Sequence, residues 1–329
     1  AGGRAAALVL SVRQVLPRLL VGLVLLAGFG LEAARDDAPR LLRRELSGGV
    51  EYLDLAYRSG PLTVRALACR APAREGLPVL LYEHGGFEGI TGREFCAEAA
   101  AAGFAVGISA FRGQGGSDGT PEACLGEVDD ALALLPALAR VLGADTSRVL
   151  HAGVSLGGCV ALHAAAHDPH ALGAAVFGPT TDFAARLDLL RAQGRLEAAA
   201  RWEAYLGVRP DRLQVRDPLA AAAGIAGPLL IVHGGNDAQT PLVHSCRLRD
   251  ARVAAGRAVV NSLIGRDGAA WAGPPVSQPC QGLTAGRAVP ASWGGSDHFI
   301  VLRDLEHSTT PLVRKHMISF LKARLAPPR

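Results

Sequence analysis

Short apolar runs separated by helix-period stretches dominate the pattern of this 329-residue chain. Pro78 to Glu83, Phe104 to Ser109 and Pro228 to Val232 are almost wholly apolar and of strand length, which predicts strands buried on both faces. Val50 to Tyr57 and Pro61 to Cys69 instead alternate apolar and polar residues around Ser59-Gly60-Pro61, as two antiparallel strands joined by a turn would. Arg148 to Val154, Ala174 to Phe177 and Ala258 to Ile264 read as further strands. Helices are expected over Arg93 to Ala102, Pro121 to Leu142 with a break or kink near Pro136, Gly157 to Ala166, Leu242 to Ala255 and Thr310 to Leu325. Such alternation predicts an α/β fold, a mostly parallel central sheet with helices on both faces.

Three stretches break the alternation. Asp36 to Ser47 is charged and reads as a linker or a first helix, within a linker over 35–49. Between about 180 and 226 there is no strand signal: Phe183 to Ala199 is helical, and Trp202, Tyr205 and Pro210 follow. Inserted after a sheet strand, this segment would form a small helical cap over the carboxyl edge, its aromatics lining a pocket or packing the cap on the core. Gly265 to Gly295, rich in Gly, Pro, Ala and Ser, is irregular and longer than most ordered loops. The remainder, 50–329, forms one domain.

At the N-terminus, Arg4, Arg13 and Arg18 precede an uncharged run from Leu19 to Leu31. The run is short for a bilayer span and suits a signal peptide over 1–34, which implies export to the periplasm or medium. Extended back through Leu16 and Val15 it would be a membrane anchor instead, the one expected tether. Six cysteines, an even number, fit disulfides in an oxidising compartment, and neither Cys-x-x-Cys nor zinc-type spacing is present, so no metal is expected. Cys159 reads as a small buried hydrophobe. A net charge of +4 carried by scattered arginines argues against a nucleic-acid partner.

The chemistry centres on Gly153-Val154-Ser155-Leu156-Gly157, preceded by an apolar strand and followed by an Ala-rich amphipathic run. Strand, sharp turn and helix in that order make a nucleophile elbow, which lifts a serine hydroxyl out of the sheet edge at a helix N-terminus. Gly115-Gly116-Ser117-Asp118-Gly119 fits the same five-residue pattern, but it lacks a preceding strand and runs into Thr120-Pro121, so it reads as a loop. Acyl transfer by a serine needs a base, an acid that orients it and donors for the oxyanion, all from loops at one sheet edge. The chain offers them in the order Ser, Asp, His.

His84-Gly85-Gly86-Phe87, Phe111 to Gly119, Gly126-Glu127-Val128-Asp129-Asp130, Gly153 to Gly158 and Val232 to Pro241 together resemble the prolyl-oligopeptidase-type and dienelactone-hydrolase-like α/β hydrolases, from about Pro78 to the C-terminus. The resemblance implies Ser155 as nucleophile and Asp237 as triad acid, with Asp182 as the alternative. For the base it implies His298, in Gly294-Gly295-Ser296-Asp297-His298-Phe299, with His307 as its rival. Oxyanion donors would be the N–H of Leu156 and a group of the 84–87 turn, the N–H of Phe87 or Gly86 or the His84 side chain. Arg112 and Asp118 are expected to tie down their loop. Cys246 and Cys280 could form a bridge that pins the long segment, with Cys96 and Cys124 as another pair. The expected activity is serine hydrolysis of a carboxylic ester through an acyl-enzyme, without metal or organic cofactor. Peptidases of this group usually carry an N-terminal β-propeller, and only the leader and linker precede residue 50, which tilts the expectation from short peptides to esters. A non-catalytic binding protein with this fold is the third reading.

Overall fold

The computed structural model describes residues 38–208, 214–273, 280, 283 and 286–325. The expected leader, 1–34, lies outside the described residues. Among the described residues ten strands form one sheet: β1 (Arg40–Ser47), β2 (Val50–Ser59), β3 (Leu62–Arg70), β4 (Pro78–Glu83), β5 (Ala105–Ser109), β6 (Asp145–Val154), β7 (Ala171–Phe177), β8 (Leu229–Gly234), β9 (Val259–Ile264) and β10 (Asp297–Leu302). Their order is β1-β2-β3-β5-β4-β6-β7-β8-β10-β9. Pairing is antiparallel from β1 to β5 across β3 and parallel from β5 to the far edge. This is the doubly covered sheet that the alternation predicts.

The helices are α1 (Arg93–Ala101), α2 (Gly126–Leu142), α3 (Leu156–His167), α4 (Phe183–Ala192), α5 (Leu196–Gly207), α6 (Pro218–Gly224), α7 (Val243–Ala254) and α8 (Pro311–Ala323). Every residue of β4 is buried, and period 2 divides its side chains between the faces. Leu80 and Tyr82 join Phe95 of α1 and Met317 of α8, whereas Val79 and Leu81 join Leu134 and Leu138 of α2. Each such aliphatic side chain, fully buried, contributes about 1.5–3 kcal/mol. Helix α2 runs through Pro136 without a break.

The segment taken as a linker or helix is strand β1. Its sequence, RLLRRELS, has no period of 2, because nearly all of it is exposed and no buried face selects alternation. Main-chain pairing to β2 holds it, through a turn at Gly48-Gly49 in which both residues have positive φ (58° and 74°), a conformation that glycine alone adopts freely.

Three disulfides staple the domain: Cys69–Cys96 joins β3 to α1, Cys124–Cys159 joins the approach to α2 with α3, and Cys246–Cys280 ties α7 to the long segment before β10. The last is the pairing anticipated, while Cys96 pairs with Cys69 rather than Cys124, and Cys159 is bonded rather than a free small hydrophobe. These bridges fit a chain that folds in an oxidising environment. Among the described residues no helix is long and apolar enough to cross a membrane.

Candidate active site

Ser155 sits between β6 and α3 with φ 56° and ψ −119°, a conformation that costs a non-glycine residue of the order of 1–3 kcal/mol. Its neighbours explain how the turn closes. A Cβ on Gly157 would overlap the carbonyls of Glu83 and His84, and one on Gly153 would overlap the Gly157 carbonyl, so the elbow packs against the end of β4 only because both are glycine. The Ser155 N–H donates to the Phe177 carbonyl (3.0 Å), and its own carbonyl accepts from Thr180 N–H (3.0 Å). The second Gly-x-Ser-x-Gly match is a loop, as its context implied: the Ser117 hydroxyl accepts from Arg65 N–H and the Asp118 carboxylate from Thr63 N–H.

Asp237 follows β8 through Gly235-Asn236. Its Oδ1 accepts from the N–H groups of Gln239 (2.9 Å) and Thr240 (2.8 Å), and its Oδ2 accepts from His307 Nδ1 at 2.6 Å. Burial alone would raise this carboxyl, but the His307 hydrogen bond and charge, with His233 behind them, hold it below the usual carboxylate range. Because an ionised carboxylate only accepts, Nδ1 of His307 is the donor in this bond, and Nε2 is the ring nitrogen not engaged by Asp237. Behind Asp237, His233 is locked by the Ser245 hydroxyl (2.7 Å) and the Thr240 carbonyl (2.8 Å), and burial pushes it down to about 4, so it is a neutral support.

The loop that carries His307 is zipped to the one that carries Asp237. Gly235 N–H donates to the Leu302 carbonyl (2.8 Å), Asn236 N–H to Leu305 (2.9 Å), and a Cβ on Gly234 or Gly235 would strike this same segment. A Cβ on Gly178, at φ +50°, would lie 3.1 Å from the His307 ring and 3.2 Å from Asp237 Oδ2. These glycines clear the space in which the pair meets.

His298, the expected base, is elsewhere. It is the second residue of β10, paired with Leu230 of β8 and Val260 of β9, and 2% exposed. Trp293 (4.9 Å) and Phe320 (6.0 Å) enclose its ring, neither ring nitrogen has a hydrogen-bond partner among the described residues, and burial followed by the Arg324 charge pushes it down to about 4. The physical reason is position along the strand. The carboxyl end of β10 is Leu302, about 13 Å further on at roughly 3.3 Å per residue, and that is the rim where Ser155 and Asp237 emerge. The sequence reading missed that Asp297 to Leu302 is itself a strand; the unbroken run Phe299-Ile300-Val301-Leu302 was the available signal, and it makes the next histidine, His307, the one at the right rim.

Ser155 and His307 line one cleft of about 550 Å³ together with Gly85, Gly86, Phe87 and the cap residues Arg186, Arg195, Ala198, Arg201 and Trp202. Leu156 opens α3 with its N–H in the first turn. Gly86 and Phe87 line the cleft, whereas the His84 ring is buried against Phe111 (4.7 Å) and is not part of the lining. Asp182, the alternative acid, caps α4 through Ala185 N–H and pairs with Arg247. Arg112 clamps its loop to Asp130 and Glu122. Cys124, Cys159 and His163 are grouped like metal ligands, but the two sulfurs are bonded to each other.

The cap spans α4 to α6, and the break between α4 and α5 at Gln193-Gly194-Arg195 splits what the sequence suggested was one helix. Phe87 packs edge-on to Trp202 (4.9 Å) and Tyr205 (4.7 Å), which docks the cap against the turn after β4.

A model of the prolyl oligopeptidase family matches residues 97–270, more than half of the chain, and includes Ser155 and Asp237 but stops before β10. Among solved structures, an acylaminoacyl peptidase from Pyrococcus horikoshii is similar with a TM-score of 0.58 at 15% identity, over 85% of this chain and 40% of that one. An acetyl xylan esterase from Paenibacillus sp. R4 is similar with a TM-score of 0.60 at 17% identity, over 87% of both chains. A Mycobacterium tuberculosis puromycin-hydrolyzing peptidase gives 0.50 at 23% identity, over 62% of this chain and 34% of that one. The chain thus spans well under half of the peptidases and most of the esterase. No curated protein matches it in sequence. With its parallel sheet, its elbow serine and its paired Asp and His loops, the fold is that of an α/β hydrolase, and the chain belongs to the prolyl oligopeptidase family.

Proposed function

We propose that this protein is a serine hydrolase that cleaves a carboxylic ester with Ser155 as nucleophile, His307 as general base and Asp237 as the acid that orients it. One observation carries the reading: His307 Nδ1 is bound to Asp237 Oδ2 at 2.6 Å while His307 and Ser155 line the same cleft. In the first half-reaction His307 Nε2 takes the Ser155 proton as Oγ attacks the ester carbonyl. Negative charge on the carbonyl oxygen meets the N–H of Leu156 and of Gly86 or Phe87 at the N-terminus of α3; one such donor is worth about 10²–10³ in rate. The protonated His307, stabilised by the Asp237 carboxylate, then gives its proton to the leaving alkoxide. Water attacks the acyl-enzyme by the same steps in reverse.

A cleft of about 550 Å³ narrowed by docked cap helices suits a small ester. Family membership favours a second reading, cleavage of short peptides, for which the leaving group is an amine that His307 must protonate. Three disulfides and the Leu19 to Leu31 run support export as its setting. The test is labelling by a fluorophosphonate probe, followed by kinetics on p-nitrophenyl esters and aminoacyl-naphthylamides. Labelling lost in Ser155→Ala and in His307→Ala but kept in His298→Phe is the expected result; faster release of amine than of p-nitrophenol would replace ester by peptide.

A further inference from the structure

The lining of the Ser155 cleft is divided by charge. Its cap side presents three guanidinium groups, Arg186, Arg195 and Arg201, and its core side presents Glu88 and Glu94. Two neighbouring arginines are neutralised: Arg191 of α4 pairs with Asp188 and Glu203, and Arg247 of α7 pairs with Asp182. The three in the cleft differ. Arg186 is buried and spends one N–H on the Gln239 carbonyl, with no carboxylate in an ion pair with it among the described residues. Arg195, the N-cap residue of α5, and Arg201, on the same helix, make no side-chain hydrogen bond or ion pair among the described residues.

Holding like charges together is unfavourable, and at Arg186 the charge of Asp237 offsets this only in part. Burial, and after it the nearby charge of Arg195, push Arg186 below its usual value. The N-terminus of α5 adds positive potential at the same place. Guanidinium groups bind carboxylates in a planar, two-pronged geometry, and the burial of Arg186 strengthens such a contact, while Arg195 and Arg201 are exposed beside it. Glu88 and Glu94 on the other side repel a second negative charge, which separates a monocarboxylate from a polyanion.

We infer that the cleft selects substrates bearing one carboxylate, held by Arg186, Arg195 and Arg201 while the scissile carbonyl lies at Ser155. This inference rests on the serine hydrolase reading. The carboxylate belongs either to the acyl group or to the leaving group, and matched substrates separate the two. On the acyl side, 4-nitrophenyl hydrogen glutarate is compared with its methyl ester; on the leaving side, 4-acetoxybenzoate is compared with its methyl ester. In the wild type, kcat/KM should favour the anionic member of one pair by roughly tenfold or more, since a hydrogen bond to a charged group is worth about that factor. The preference should fall with added salt, collapse in Arg195→Ala/Arg201→Ala and invert in Arg195→Glu/Arg201→Glu. Ratios near one in both pairs, or a preference that survives the double alanine variant, would overturn the inference.

Binding to Ser155→Ala supplies a readout independent of turnover. Calorimetry with monomethyl glutarate against dimethyl glutarate should show saturable binding of the monoanion alone, lost when Arg195 and Arg201 are also replaced. If the wild type hydrolysed no ester and no peptide yet this binding were present, the hydrolase reading would fail and the carboxylate site would stand. Absence of monoanion binding would remove the site whatever the turnover.

Discussion

A histidine and an aspartate lie near each end of β10, Asp297 and His298 within it and Asp237 and His307 on the loops at its carboxyl end, and the two rims use them oppositely. At the amino rim, Asp297 is fully buried and its charge is closed off: Arg252 grips both carboxylate oxygens (2.7 and 3.1 Å) and spends its other N–H groups on the carbonyls of Ala222, Ile225 and Gly227. His298 beside it is a neutral aromatic among aromatics. At the carboxyl rim, Asp237 is matched not by an arginine but by His307, which lines a cleft. An arginine cannot give up its proton, so the first pair is structural, whereas the second can accept a proton and return it. The chemistry of a side chain in this fold thus follows from which end of a parallel strand it occupies.

Substitutions at the two rims test this contrast. The largest effect is expected for His307→Ala, with kcat on a p-nitrophenyl ester lowered by about 10³–10⁶, while His298→Phe stays within about threefold of wild type. Equal losses in the two variants would erase the distinction. Asp237→Asn should lower kcat by about 10⁴ with little change in melting temperature, because the histidine loses its orienting charge in an otherwise intact site. Its counterpart Asp297→Ala should do the reverse, costing about 3–5 kcal/mol in denaturant unfolding by stranding the buried Arg252.

The pH dependence of stability sharpens the comparison at the amino rim. A folded-state value of about 4 for His298, against an ordinary value near 6.5, means that the unfolded chain takes up a proton first as pH falls. The neutral-histidine contribution is therefore intact above about pH 6.5 and is lost progressively between there and about pH 4, to a total of about 3 kcal/mol. His298→Phe should flatten that part of the stability profile, leaving the share due to His233 and His244, also pushed down to about 4 by burial. An unchanged acid limb in chemical denaturation would show that His298 is not held neutral. The smallest effect is expected for Gly178→Ala at the carboxyl rim: a Cβ 3.1 Å from the His307 ring, on a backbone with positive φ, should lower kcat roughly tenfold.

Much of this arrangement is readable in the chain alone. Apolar runs of strand length marked β4, β5 and β8, and the glycines around Ser155 are needed whatever the rest of the fold does, because two backbones pass there at contact distance. Asp237 follows a strand that could not be mistaken. By contrast, β1 left no pattern, since an exposed edge strand buries no face. The break between α4 and α5 passed unseen inside an Ala-rich run.

What local sequence could determine, then, was the elbow, the aspartate just past β8 and the alternation that makes a parallel sheet, because each is set by neighbours within a few residues. Tertiary structure alone decided which histidine meets Asp237. That choice depends on where β10 begins and ends against β8 and β9, a register set by long-range pairing that no window around His298 or His307 contains.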